Sequence, residues 1–110
     1  METNETFCTT LTDILNKTPA FAQDAVAELE QQHDRYDTLL TEIVTANAAM
    51  KKFVTPSYDI GLNIKRAKAE KDAKKQKYWY DRAADDFKVQ IKALKTDLDC
   101  PVSLSMHIKL

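Results

Sequence analysis

Glycine is almost missing from this sequence, and its scarcity excludes more than any motif does. One glycine and three prolines stand in 110 residues, too few turn formers for a sandwich or barrel of many short strands. Gly61 has no second glycine to work with, so a glycine-rich phosphate loop is excluded. No apolar run approaches the ~20 residues of a membrane span. The two histidines, His33 and His107, are far apart, and neither has a serine or cysteine at a spacing that argues for nucleophilic catalysis. The chain is long enough for one domain of the usual ~100–200 residues and no more.

Cys8 and Cys100 sit towards opposite ends of the chain and lack the CxxC spacing of a redox or zinc motif. The opening Met-Glu-Thr-Asn-Glu-Thr is acidic and polar, whereas a secretory signal would be basic and then apolar. The expectation is a reducing compartment, cytoplasmic or nuclear, with both thiols free.

Charge is balanced in total, at −1, but not in position. Residues 1–50 carry nine acids and two bases, and residues 51–110 carry 14 bases and eight acids. The densest basic stretch is 65–77, with Lys68, Lys71, Lys74 and Lys75 as its candidate patch. Halves of opposite sign are expected to lie against each other, within one molecule or between two. The alternative is a surface for phosphate, on a membrane or nucleic acid, although a net negative chain is a poor general nucleic-acid binder.

What the sequence does hold is helix former. Thirteen residues are alanine, which suits a long thin core better than a broad one. Thr18-Pro19 has the chemistry of a helix start. Leu29, Tyr36, Ile43 and Met50 then follow seven apart, with Leu39, Ala46 and Phe53 as companions. The spacing predicts one helix over about residues 19–53, roughly 50 Å long. A short helix is expected before it at about 6–16, where Phe7, Leu11, Ile14 and Leu15 share a side. A second long helix is expected over about 66–98, with Tyr80, Ala84, Phe87, Ile91 and Leu94 as its stripe.

Between the long helices lies a connector at about 54–65. In it Tyr58, Ile60, Leu62 and Ile64 alternate with polar residues, the period of a strand, and extended structure is expected over about 57–64. Thr55-Pro56 leaves a helix start as the competing reading. The tail after Pro101 alternates as well: Val102, Leu104, Met106, Ile108 and Leu110 fall on one side. It predicts a half-buried strand at about 102–110 that needs a partner edge. An antiparallel dimer would supply one, and so would the sheet of a different protein.

Glu30 and His33 have the Glu-x-x-His spacing used in di-metal bundles, but those bundles need two copies and further carboxylates. The motif therefore reads as exposed helix, and neither a metal nor another cofactor is expected. Tyr78, Trp79 and Tyr80 cannot share one helix face, because successive residues stand 100° apart. Tyr80 belongs to the core stripe, Trp79 borders it, and Tyr78 should be partly exposed. Tyrosine and tryptophan at a protein surface fit a protein contact better than a base or a lipid headgroup.

The expected fold is mainly all-α, an elongated antiparallel hairpin or coiled-coil bundle with a short leading helix and two short extended segments. Leu29, Tyr36, Leu40, Ile43, Tyr80, Phe87, Ile91 and Leu94 form its seam. The expected role is non-enzymatic: a small assembly subunit or adaptor that binds protein, self-associates and takes no small-molecule substrate. The outward contact would come from Tyr78 and Trp79 or from Val102, Leu104, Met106 and Ile108. Alternatives are the basic-face binder, a holding chaperone analogous in layout alone to the prefoldin type, and a small inhibitor or effector that caps another protein.

Overall fold

Small polar residues cut the chain into shorter helices than its apolar periodicity predicts. In the computed structural model, which describes residues 4–22, 24–54 and 58–101, four α-helices follow one another: α1 (Asn4–Lys17), α2 (Ala25–Ala46), α3 (Tyr58–Ala69) and α4 (Ala73–Asp97). A 3₁₀ helix over Ala48–Phe53 follows α2. No strand occurs among the described residues.

α1 takes the expected place and buries Phe7, Leu11 and Ile14. Thr18 does not cap the next helix. Its hydroxyl donates back to the Ile14 carbonyl at 2.9 Å, and its N–H bonds Leu15 O, so the residue closes α1. α2 begins only after Asp24, whose carboxylate favours a helix N-terminus by charge although it makes no side-chain cap. The single helix over 19–53 is thus corrected at both ends. At its carboxyl end Asn47 turns extended, at φ −146° and ψ 96°, and accepts a hydrogen bond from Ala49 N. An Asn side chain competes with the helix for backbone donors, which is why α2 stops there.

The expected strand over 57–64 is corrected too. From Tyr58 onward the segment is helix α3, so its alternation of apolar and polar residues is not a strand pattern. Ile60, Asn63, Ile64 and Ala67 face the interior at helical spacing, while Tyr58 and Leu62 face out. Residues 55–57 and the tail strand at 102–110 lie outside the described residues.

The helix expected over 66–98 is two helices. Asp72 leaves helical geometry at φ −83° and ψ 126°, and its carboxylate accepts from Lys75 N at 3.1 Å, a side-chain N-cap. Gln76 Nε2 donates across the turn to the Ala67 carbonyl at 3.0 Å. One bond starts α4 and the other serves a carbonyl at the carboxyl end of α3, which fixes α3 and α4 as a tight antiparallel hairpin.

The shape follows from these breaks. With extents of 43 × 37 × 19 Å and a radius of gyration of 14.9 Å, the molecule is a slab rather than the expected rod. Shorter helices lie side by side and close one core, in which Phe7, Leu11, Ile14, Leu29, Ile43, Ile60, Tyr80, Phe87 and Ile91 are wholly enclosed. Tyr36 and His33 both set their rings edge-on to Phe87, with centroids 5.3 and 5.5 Å away.

Cys8 and Cys100 form a disulfide across 92 positions, with Cα atoms 5.6 Å apart. The expectation of two free thiols is overturned, and the compartment argument built on it loses its footing. Local geometry aims the second cysteine. Asp99 adopts φ 62°, Asp99 N bonds Thr96 O, and Cys100 N reaches back to Lys95 O at 2.8 Å. This pair of bonds around a left-handed residue is a Schellman turn, here with aspartate in the position glycine usually takes. It folds the end of α4 back towards α1.

Candidate functional site

Every residue of the predicted seam is buried within the single chain. Leu29, Tyr36, Leu40 and Ile43 on α2 meet the interior with Tyr80, Phe87, Ile91 and Leu94 on α4. They hold the bundle together and are not available to a partner. Burial pushes the Tyr36 phenol up to about 12, with Asp37 adding to it. Tyr80 is pushed up to about 12 by burial, then by Asp81 and Glu28, and its hydroxyl donates to the Pro19 carbonyl.

The Glu30–His33 pair is not the exposed motif that was expected. His33 is buried against Phe87, its Nδ1 is 3.8 Å from Asp37 Oδ2, and a methyl on Gly61 would sit 3.7 Å from its Cε1. Glu30 turns away to an ion pair with Lys68 at 3.1 Å. Gln32 is buried as well, donating to Glu28 and accepting from Arg35. No metal-ligating cluster occurs among the described residues.

Charges of the two halves meet at the Lys68–Glu30 pair. Other ion pairs stay within a half: Asp13 with Lys17 and Arg35, and Lys77 with Asp81. Asp13 is held below the usual carboxylate range by hydrogen bonds from Lys17 and then Arg35. The predicted basic patch is therefore divided. Lys68 is neutralised, whereas Lys71, Lys74 and Lys75 are exposed at the α3–α4 turn and have no side-chain partner among the described residues.

The exposed aromatic surface is larger than Tyr78 and Trp79. Tyr58, Leu62 and Arg66 stand four apart along one side of α3, and Arg66 carries that side onto α4, its guanidinium 4.7 Å from the Trp79 ring centre. Arg82 lies 5.6 Å from the Tyr78 ring and 6.0 Å from Trp79, and it donates to the Tyr78 hydroxyl at 2.9 Å. The Tyr78 and Trp79 rings meet edge to face at 4.9 Å. Trp79 is half-buried against the core, as its flanking position predicted. Tyr58 is 80%, Tyr78 52% and Leu62 46% exposed, values that mark side chains the core does not use.

Neither Arg66 nor Arg82 forms an ion pair among the described residues. Each guanidinium is held by a ring and by one hydrogen bond, Arg66 Nη1 donating to Asn63 Oδ1 at 3.2 Å and Arg82 Nη1 to the Tyr78 hydroxyl. Tyr58, Leu62, Arg66 and Arg82 were not singled out in the sequence as contact residues. Reading 55–64 as helix would have aligned the first three at four-residue spacing, and Tyr78–Arg82 has that spacing too. The candidates Val102, Leu104, Met106 and Ile108 lie outside the described residues. No helix among those described is long and apolar enough to cross a membrane.

Comparisons with protein-family models, with curated proteins and with solved structures returned no significant match.

Proposed function

We propose that this chain is a non-catalytic helical bundle protein that works by protein contact, joining copies of itself through the α3–α4 face. One observation carries the reading: Tyr58 and Leu62 on α3 and Tyr78 on α4 are exposed, and Arg66 and Arg82, which make no ion pair among the described residues, lie against the Tyr78 ring and the half-buried Trp79. Tyrosine, tryptophan and arginine are the residue types that dominate the energy of protein interfaces. Self-association is not required for folding on this reading, because the seam is already enclosed in one chain. It is an added property of the outer surface. The Cys8–Cys100 bond supports an oxidising compartment as the working location, in place of the cytoplasmic or nuclear one that the sequence suggests.

A second reading keeps the same end of the molecule but gives it a phosphate-bearing partner. The unpaired Lys71, Lys74 and Lys75 favour it, whereas Glu70, Asp72 and Asp81 interleave with them and weaken it. The test is the solution mass of the wild-type chain beside that of a Tyr58→Ser, Leu62→Ser, Tyr78→Ser variant. The proposal expects a wild type heavier than 12.5 kDa and a folded variant of monomer mass. Equal masses for the two would refute it.

A further inference from the structure

The outer side of α4 carries a stripe that is complementary to itself when reversed. Tyr78, Arg82, Asp85 and Val89 follow one another at spacings of four, three and four, so they stand in line along one side of the helix. All four are exposed, Val89 by 65%, and none of them serves the core, which α4 meets with Tyr80, Ala84, Phe87 and Ile91. Asp86 is exposed beside Asp85. Neither aspartate forms an ion pair among the described residues. Asp81, the next acid towards the amino end, is committed to Lys77. Arg82 does not turn to the aspartates of its own helix. Its Nη1 donates to the Tyr78 hydroxyl and its guanidinium lies by the Tyr78 ring, one turn in the opposite direction. The stripe thus holds a base and a pair of acids at its middle and an apolar side chain at each end.

We propose that two copies pair α4 against α4, antiparallel about a two-fold axis that passes between the levels of Ala83 and Ala84. The inference rests on the self-association reading above and names what covers the face: the same face of a second copy. In this register Arg82 of each copy meets Asp85 and Asp86 of the other, and Tyr78 of each meets Val89 of the other. The symmetry makes every such contact twice. α3 contributes at the same place. Arg66 over Trp79 and Gln76 bonded to the Ala67 carbonyl set α3 antiparallel to α4, so Leu62 lies about level with Arg82, near the axis, where it faces itself. Each copy uses one and the same surface, so the contact closes at two copies and leaves no face of this kind open. At the two ends Lys75 falls opposite Lys92. Both are exposed, and like charges set against each other hold the affinity down.

The experiment is sedimentation velocity on the purified full-length chain beside two charge-reversed variants. One carries Arg82→Glu, and the other carries Asp85→Lys with Asp86→Lys. The wild type is expected to sediment as two copies and no more. Each variant alone is expected to be monomeric, because each sets like charges against one another across the axis. An equimolar mixture of the two is expected to return to a two-copy species, since opposite charges then face each other at both contacts. Val89→Ser is expected to lower association several-fold with an unchanged melting temperature, which separates lost contact from lost fold. Lys92→Glu is expected to raise association several-fold, because an acid then faces Lys75. If both charge-reversed chains associate like wild type while the Tyr58→Ser, Leu62→Ser, Tyr78→Ser chain is monomeric, the α4 pairing fails and self-association through the α3–α4 face stands. A mixture that remains monomeric beside an associated wild type refutes the antiparallel contact, and so does wild-type growth beyond two copies. A wild type that is monomeric throughout removes the self-association reading and this inference with it.

Discussion

Where α1 meets α2 and the end of α4, reactive and polar groups close on one another. Cys8 bonds Cys100, Asp13 takes both Lys17 and Arg35, and Lys95 donates to Thr12 at 2.8 Å. Across the outer α3–α4 face the opposite holds. Arg66 and Arg82 have rings beside them but no carboxylate, and Tyr58 stands in solvent. The first region spends its side chains on the fold, and the second leaves them for something else. A residue type is therefore a weak guide to role in this chain. Arg35 is a strut and Arg82 is a candidate contact, and what separates them is whether an acid from another helix is in reach.

If the comparison is right, damage to the interior should be severe and damage to the outer face slight. Phe87, enclosed and ringed by Tyr36 and His33, is the most damaging single position. Phe87→Ala is expected to cost about 3–5 kcal/mol in chemical denaturation. Losing the disulfide, by reductant or by Cys8→Ser with Cys100→Ser, is expected to cost about 2–5 kcal/mol, because its loop spans most of the chain. Unchanged urea midpoints with and without reductant would remove the bond from the account.

Alkaline titration sharpens the contrast further. Tyr36 and Tyr80 are both raised to about 12 from an ordinary value of 10.0. The folded chain therefore keeps two protons that the unfolded chain releases. The stability they contribute is complete below pH ~10 and is lost as pH climbs through ~12, by roughly 2 kcal/mol for each group. Unfolding followed by circular dichroism should fall steeply in that window, and less steeply in Tyr36→Phe and Tyr80→Phe. The smallest effect belongs to the face itself: Tyr58→Ser, Leu62→Ser and Tyr78→Ser are each expected to move stability by about 0.5 kcal/mol or less. A larger drop in any of them would mean that the face belongs to the fold.

The interior was more legible in the sequence than the outer surface. Heptad spacing marked Leu29, Tyr36 and Ile43 as buried because period 3.6 burial depends on local chain geometry alone. Helix ends were misread because they depend on competition between side chains and backbone. Thr18 resembles a cap yet closes α1, and Asn47 and Asp72 look like ordinary polar residues yet each begins a new element. Tyr58 to Ile64 alternates like a strand, but four residues spaced by two also put alternate pairs on one helix face, and the core accepted Ile60 and Ile64. The disulfide was illegible for a different reason. Cysteines 92 positions apart are neighbours only once α1 and the end of α4 are packed together. The arginine–aromatic face needed both the helical reading of α3 and the turn at Asp72, so an error in either hid it.

Trp79 is the sole tryptophan of the chain and lies in the face at issue, under Arg66. Its fluorescence, recorded across a dilution series beside the sedimentation mass, tests the central claim most directly. The account expects the emission to shift to longer wavelength as the mass falls to that of one chain, with helical content unchanged throughout. An emission maximum that stays fixed while the mass falls would place the contact elsewhere on the molecule and contradict the account.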